Sequence, residues 1–388
     1  MIGWYKPQVG GGSHVIQNLV KILKKEHKVY IINMEESGLP IGLGHWNDDG
    51  VDVYQEKIWY PRRYTAFQTL FQTTKRALLL RKKVDIYHTH GVYFSGVGLI
   101  DRSKPMVLTI HGYSSLEAIA SGRIKENSLG YKHIRFMEKK VAQRADAIIA
   151  VGKTLRQWII EELRADPEKV FYIPNGIDSD VFRLIPPEDN PLKDKIKGNP
   201  ILIFTKHFSP GYGAKDLILA FKDVVAKYPD ARLIMLGEDK WKSEIINYSK
   251  KLGVFEKIVF PGRVPNEKVP YFLSISDIFI NPISTTETFG ISVIEAMACE
   301  TPVVATAVGG PKEIMDEGIR QMGNPVGILV PPKSPDDLAK AILEIIDNYD
   351  EAKRMAKRAR EYVLKNYTWD IVAKKTLKVY ECAIMNHK

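Results

Sequence analysis

Two α/β domains, each built on a parallel β-sheet, are predicted by three observations. Short runs of β-branched residues alternate with helix-period segments, that alternation runs through the chain twice, and a stretch rich in proline and charge breaks it midway. The 388 residues exceed one ordinary core and suit two domains of about 150–200 residues each. Strand candidates are 29–33, 84–88, 106–110 and 146–151 in the first half, and 201–205, 232–236, 278–281 and 302–305 in the second. They are continuous apolar runs rather than alternating ones, as in sheets covered by helices on both faces. Helix-period segments lie at 14–25, 153–164, 214–228, 290–298, 335–348 and 350–365. The break, LIPPEDNPLKDKIKGNP at 184–200, reads as a linker. The domains are therefore expected at 1–183 and 201–366. A doubly wound domain needs a first strand, yet only Met1–Val9 precede Gly10. The expectation is a truncated first strand or a start codon further upstream.

Hydrophobic content is 45% and charged content 26%, both ordinary for a globular protein. The two cysteines, Cys299 and Cys382, leave no room for a disulfide framework and fit a reducing cytoplasm. The opening Met-Ile-Gly-Trp-Tyr-Lys has no apolar signal core, and no later apolar run reaches the roughly 18 residues that span a bilayer. A cytoplasmic protein is expected. A net charge of +10 favours anionic partners: nucleotide phosphates, acidic lipid surfaces or nucleic acid. Nucleic acid is disfavoured, because no recognition module is present and the lysines are spread rather than striped. Neither domain carries Gly-x-Gly-x-x-Gly, which argues against a nicotinamide-dependent dehydrogenase.

The motifs that carry chemistry fall at the ends of predicted strands. Gly10-Gly11-Gly12-Ser13 leads into a helix near His14, and glycines there let a ligand approach the backbone at a helix N-terminus. His111-Gly112 follows the strand MVLTI, where open α/β sheets bind ligands. His88 and His90 close the preceding strand in the same way; with no third ligand at close spacing, a zinc site is discounted. The block 287–313, ETFGISVIEAMACETPVVATAVGGPKE, is the strongest signal. Phe289-Gly290 opens a helix whose free amides at Ile291 and Ser292 can hold a phosphate. Glu295, further along that helix, is an acceptor-only carboxylate suited to paired hydroxyls such as those of a ribose. Asp178-Ser179-Asp180 has the form of a metal-binding pair, but it follows Asn175-Gly176-Ile177 and reads as loop and capping chemistry.

Taken in order, these elements resemble the retaining GT-B glycosyltransferases of family four. The likeness rests on the Gly10–Gly12 loop, His111-Gly112, IPNGID at 173–178, FPGRV at 260–264 and the Glu287/Glu295 pair. It continues through Gly309-Gly310 with Glu313, GILVPP at 327–332 and YTWD at 367–370. The resemblance implies two Rossmann-like domains with the active site in the cleft between them, and a C-terminal helix at 367–388 that packs back on the first domain. It implies a nucleotide-sugar donor held mainly by the second domain, an acceptor sugar or lipid-linked sugar, and retention by same-face attack. Under it His111, Lys206 and Glu287 are catalytic. The donor is bound by Gly11, Gly12, Lys215, Val264, Phe289, Gly290, Ile291, Ser292 and Glu295. No metal and no cofactor are expected, since the nucleotide sugar is a substrate. Glu295 would hold the ribose, Glu287 the transferred sugar, the amides after Phe289 the diphosphate, and the backbone near Val264 the base.

One stretch departs from the family pattern. An Arg and a Lys are usual after the first strand of the second domain, but here the residues are FTKHFSPGYGAKD. Lys206 takes the Arg position, Gly211-Tyr212-Gly213 fills the region of the Lys, and Lys215 lies slightly beyond. Lys206 is therefore expected to be the main electrostatic contact and Lys215 the substitute. Two alternatives are carried: a GT-B sugar-nucleotide epimerase and a basic nucleic-acid-binding protein. Separately, residues 60–83 hold seven Lys/Arg and no acid, with Tyr60, Tyr64, Phe67 and Phe71 interleaved. This reads either as peripheral contact with the inner face of a membrane or as a covering helix with a solvated basic end.

Overall fold

The computed structural model describes residues 1–6, 11–35, 44–57, 65–120, 124–285 and 287–387. Gly10 of the glycine loop and Tyr60 and Tyr64 of the basic stretch lie outside them. The chain forms two compact units, Met1–Gly176 with Trp369–Lys388, and Ile177–Thr368.

The first unit holds an eight-stranded sheet. Its strands are β1 (Ile2–Gly3), β2 (Tyr30–Glu35), β3 (Gly44–Asp48), β4 (Val51–Lys57), β5 (Tyr87–His90), β6 (Met106–Ile110), β7 (Ala147–Ala150) and β8 (Val170–Tyr172). The order is β3-β4-β2-β1-β5-β6-β7-β8, parallel except for the antiparallel β3–β4 edge. That edge is a hairpin not anticipated from the sequence. Asp48 pairs with Val51 across a two-residue turn in which Asp49 (φ 52°) and Gly50 (φ 87°) are both left-handed, the geometry that favours Asp-Gly. Its helices are α1 (Gly11–Leu23), α2 (Thr65–Leu80), α3 (Gly96–Ile100), α4 (Ser114–Ala120), α5 (Leu129–Arg144), α6 (Lys153–Glu162) and the last of the chain, α14 (Trp369–Asn386).

Successive strand residues point to opposite faces, and the two faces are covered by different helices. Val15 of α1 and Trp369, Val372 and Val379 of α14 pack on Val107, Ala147 and Ile149. On the other face α3 approaches so closely that a Cβ at Gly98 would stand 2.2 Å from Met106 Sδ, next to Val107 in sequence. Helix α3 packs in turn on α2 and on α5.

The second unit has six parallel strands in the order β11-β10-β9-β12-β13-β14. They are β9 (Ile201–Thr205), β10 (Arg232–Leu236), β11 (Ile258–Gly262), β12 (Ile278–Asn281), β13 (Val303–Thr306) and β14 (Ile328–Val330). The helices are α7 (Ala214–Lys227), α8 (Lys242–Lys251), α9 (Val269–Ser274), α10 (Ile291–Ala298), α11 (Gly309–Met322), α12 (Pro335–Asp347) and α13 (Tyr349–Asn366). Helix α12 shows how local signals and packing agree. Ser334 precedes a proline at the first helical position, Asp336 and Asp337 occupy the first turn, and both placements are favourable there. Its Leu338, Ile342 and Ile345 then meet Leu217, Phe221 and Val224 of α7 in the core.

The stretch 184–200, expected as a linker, belongs to the second unit. The Ile185 amide donates to Ser274 Oγ at 3.0 Å, and the buried Asn190 side chain donates to the Tyr271 carbonyl at 2.8 Å. Its prolines and charges shape turns against α9 instead of a tether. The chain passes between the units at 176/177 and 368/369.

The second passage makes Trp369 a keystone of the first unit, 4% exposed among Val15, Val107 and Ile173. Trp369→Ala should lower the unfolding free energy of that unit by about 3–5 kcal/mol, measured by chemical denaturation.

Candidate functional site

In open parallel sheets, ligands sit beyond the carboxyl ends of the strands where the strand order reverses. The first unit has that point between β1 and β5, the second between β9 and β12. Each collects polar residues that the sequence singled out.

In the first unit, helix α1 starts at Gly11 rather than near His14, so Gly11 and Gly12 form its first turn. Asn33, fully buried on β2, fixes the approach to it. Its Oδ1 accepts from the Tyr5 amide at 2.8 Å, and its Nδ2 donates to the Lys6 carbonyl at 2.7 Å. The Tyr5 carbonyl in turn accepts from Ser13 Oγ and Gln17 Nε2 of α1. A Cβ at Gly12 would lie 3.7 Å from the His111 ring. His88 and His90 lie within β5, which starts three residues later than expected, and His111 follows β6. The His88 and His90 rings are 4.3 Å apart, those of His90 and His111 5.3 Å. His88 is saturated by Tyr380 Oη at 2.6 Å and Thr109 Oγ1 at 2.7 Å. His90 Nδ1 shares a proton with His111 Nε2 at 3.0 Å, and His90 Nε2 has no partner among the described residues. Burial holds His111 down at about 4 and the other two well below the ordinary 6.5. At neutral pH the trio is uncharged, able to hydrogen-bond hydroxyls but not to neutralise an anion.

The second unit supplies the charge. Lys206 directly follows β9, and its ammonium pairs with Glu287 Oε1, both side chains being about one-seventh exposed (14% and 15%). Asn281, which ends β12, has its Nδ2 3.5 Å from Glu287 Oε2, and its own Oδ1 is buried without a partner among the described residues. Glycines fix the carboxylate's loop. Gly309 (φ 49°) and Gly310 begin α11 against it, and the Gly310 amide donates to the Glu287 carbonyl at 2.8 Å. A Cβ at Gly309 would fall 2.1 Å from that oxygen, and one at Gly310 2.0 Å from the Phe289 carbonyl. Phe289 is buried, its ring 5.8 Å from that of Tyr367. Gly290, left-handed at φ 98°, then starts α10. The amides of Ile291 and Ser292 have no acceptor within the helix, and the Ser292 hydroxyl is buried with no partner among the described residues. Glu295 sits one turn further on. Burial raises its carboxyl to about 7, against the opposing pull of Lys206.

Both halves match models of glycosyltransferases. Residues 9–181 match the model described as Glycosyltransferase Family 4, and residues 188–362 the one described as Glycosyl transferases group 1. The chain belongs to the group 1 glycosyltransferases of the GT-B fold. An uncharacterised glycosyltransferase of Methanocaldococcus jannaschii is 27% identical over 99% of this chain and 98% of its own. The phosphatidylinositol N-acetylglucosaminyltransferase GPI3 subunit of Saccharomyces cerevisiae is 24% identical over 97% and 81%. Among solved structures, sucrose-phosphate synthase of Thermosynechococcus elongatus superposes with a TM-score of 0.81 at 19% identity, covering 98% of this chain and 97% of that one. Anabaena HepE, solved in complex with UDP and glucose, gives 0.77 at 16% identity over 98% of each. These likenesses favour neither the epimerase nor the nucleic-acid reading.

Within the glycosyltransferase, Lys206, Glu287 and Glu295 come together beside the start of α10. Gly12 and His111 come together in the first unit, and Val264 lies half-buried on the loop after β11. Lys215 does not join the Lys206 group. From the first turn of α7 it reaches across to α8, where its ammonium meets Glu244 Oε1 at 2.5 Å and lies over the Tyr248 ring. Asp178 acts as a turn cap, its Oδ1 accepting from the amides of Asp180 at 3.2 Å and Val181 at 3.4 Å. Asn281 was missed in the sequence. Its signal was a lone polar residue closing the apolar run IFIN at a carboxyl end. No helix among the described residues is long and apolar enough to cross a membrane.

The Glu295 carboxyl has a definite pH signature. Unfolded, it loses its proton near the ordinary 4.5; folded, only near 7. Between those values the folded state holds the extra proton, so its stability falls as pH rises, and outside the window the contribution is constant. Glu295→Gln should gain stability relative to the parent as pH climbs from 4.5 to 7, with parallel curves on either side, measured by chemical denaturation across pH.

Proposed function

We propose that this glycosyltransferase moves a sugar from a nucleoside-diphosphate sugar to an acceptor hydroxyl, with retention and without a metal ion. The observation that carries the reading is the Lys206–Glu287 pair beside the amino end of α10, where the Ser292 hydroxyl is buried without a partner among the described residues. A departing diphosphate gains negative charge as the C–O bond breaks, and a preorganised ammonium and helix amides lower that barrier. In the reaction, the electron pair of that bond leaves on the phosphate oxygen. The acceptor oxygen bonds to the anomeric carbon from the same face, and its proton passes to the departing oxygen.

The roles follow the chemistry of each group. Lys206, now compensated by Glu287, turns toward the diphosphate. Ile291 and Ser292 present amides to it, after the turn at Phe289-Gly290. Glu287 and Asn281 hold hydroxyls of the transferred sugar, Glu295 holds the ribose, and the backbone at Val264 meets the base. From the first unit the reading takes His111 as a neutral hydrogen-bonding group for a sugar hydroxyl, with the first-turn amides of Gly11 and Gly12 beside it. Lys215 is left out of the leaving-group role. The likeness to a protein solved with UDP and glucose supports a nucleoside diphosphate as leaving group.

A thermal-shift screen against UDP, GDP and ADP sugars identifies the donor, since binding raises stability by mass action. With that donor, Lys206→Ala should lower turnover on the order of 10²–10³-fold, while Lys215→Ala leaves it within about two-fold. Unchanged turnover in Lys206→Ala would sink the leaving-group role. Glu295→Gln should weaken donor binding by about 1.5–3 kcal/mol, measured by calorimetry above pH 7, where the carboxylate is ionised. In the parent, affinity should rise with pH through 7, because ribose hydroxyls donate to the ionised form. The anomeric signal of the product in proton NMR tests retention, and turnover after exhaustive chelation tests metal independence.

A further inference from the structure

The outward sides of two helices in the first unit are apolar and basic at once. On α2 the exposed positions recur at helical spacing as Phe71, Lys75 and Leu79, and the chain continues into exposed Arg81, Lys82 and Lys83. Phe71 is 57% and Leu79 66% exposed. On α5 the exposed positions include Leu129, Lys132, Phe136 and Lys140, with Leu129 86% and Phe136 57% exposed. Helix α2 contains no acid. The one carboxylate of α5, Glu138, is buried, accepting from the Ser115 amide and paired with Arg135.

These helices are not isolated. Helix α3 packs on both and ends in exposed Leu99 and Ile100, followed by exposed Arg102. Asp101, between them, is buried and turned inward to Tyr87 Oη and Ser103. The exposed acids nearby, Asp85, Glu117, Glu126 and Glu162, stand in sequence outside the three helices, and Glu162 of α6 pairs with Arg135 of α5 at 3.0 Å. Single exposed apolar residues are ordinary; a set on three packed helices, interleaved with bases and with no exposed acid in any of the three, is not.

We propose that the outer face of α2, α3 and α5 docks on the surface of an anionic bilayer. The leucine, isoleucine and phenylalanine side chains enter the boundary between headgroups and acyl chains, while the lysines and arginines meet the anionic headgroups. Charge complementarity selects this occupant. A purely polyanionic partner would engage the bases and leave the apolar side chains in water, and a neutral lipid surface would leave the bases unpaired. The proposal concerns a surface distinct from the residues assigned to sugar transfer, and holds whichever sugar is moved.

The test is sedimentation of the full chain with vesicles of phosphatidylcholine alone or mixed with phosphatidylglycerol, with no nucleotide sugar present. Binding is expected to rise with the phosphatidylglycerol share and to fall on the order of ten-fold from low to high salt. Leu79→Gln combined with Phe136→Gln should reduce binding to the anionic vesicles on the order of ten-fold, with an unchanged melting temperature because both side chains are exposed. Lys75→Glu with Lys82→Glu should do the same, whereas Lys222→Glu with Lys357→Glu, exposed in the second unit, should not. Equal binding to neutral and anionic vesicles overturns the proposal, as does equal loss in the two lysine pairs. Because no transfer is measured, failure here leaves the glycosyltransferase reading untouched.

Discussion

The first turn of α11 rests main chain to main chain on the loop that carries Glu287. Glycine at 309 and 310 removes the side chains that would otherwise hold the two backbones apart, and one amide-to-carbonyl bond locks them together. Everything else in the second-unit site depends on that contact. It sets the direction in which Glu287 leaves the loop, and so its meeting with Lys206 at the end of β9. It also fixes the point from which Gly290 can turn left-handed and launch α10, whose first turn carries the buried Ser292. A side chain of any size at either glycine would move a carboxylate, an ammonium partner and a helix amino end together.

The parts of the fold that the sequence displayed are those whose local pattern and tertiary role coincide. The strands at 106–110, 201–205, 232–236 and 278–281 were placed at their observed bounds, because buried parallel strands are apolar on both faces and cannot be mistaken for surface. The hairpin of β3 and β4 escaped notice because it is an edge, with polar residues such as Asp48, Asp52 and Gln55 along it. Its Asp49-Gly50 turn was the available signal. Residues 184–200 misled because prolines and charges mark irregular backbone, and irregular backbone can be packed as well as free. In the site, spacing revealed the residues that share one helix or loop, such as Glu287, Gly290 and Glu295. It could not reveal where a long side chain would reach. Lys215 found Glu244 on the neighbouring helix, an outcome that depends on how α7 and α8 pack.

The two switch points differ in electrical character. In the first unit burial suppresses protonation of three histidines, and the site there is polar but neutral. In the second, an ammonium, two carboxylates and a helix amino end crowd one strand terminus, and one carboxyl is pushed up to about 7. A neutral imidazole hydrogen-bonds hydroxyls without attracting phosphate, whereas the second cluster sets a cation and a helix amino end beside carboxylates that accept from hydroxyls.

The double passage of the chain also sets an order of events at the ribosome. Domains generally fold as units while the chain emerges, and residues 177–368 are complete before the final helix exists. The first unit has its strands early, yet Trp369, Val372 and Val379 of its core are made only after the whole of the second unit. The amino-terminal half must wait, with the apolar surface of α1 and β6 uncovered, while the later half finishes. Premature termination near residue 366 would leave a folded second unit joined to a first unit missing one wall of its core. Of the two units, the one synthesised earlier is therefore the one that stays open to aggregation longer.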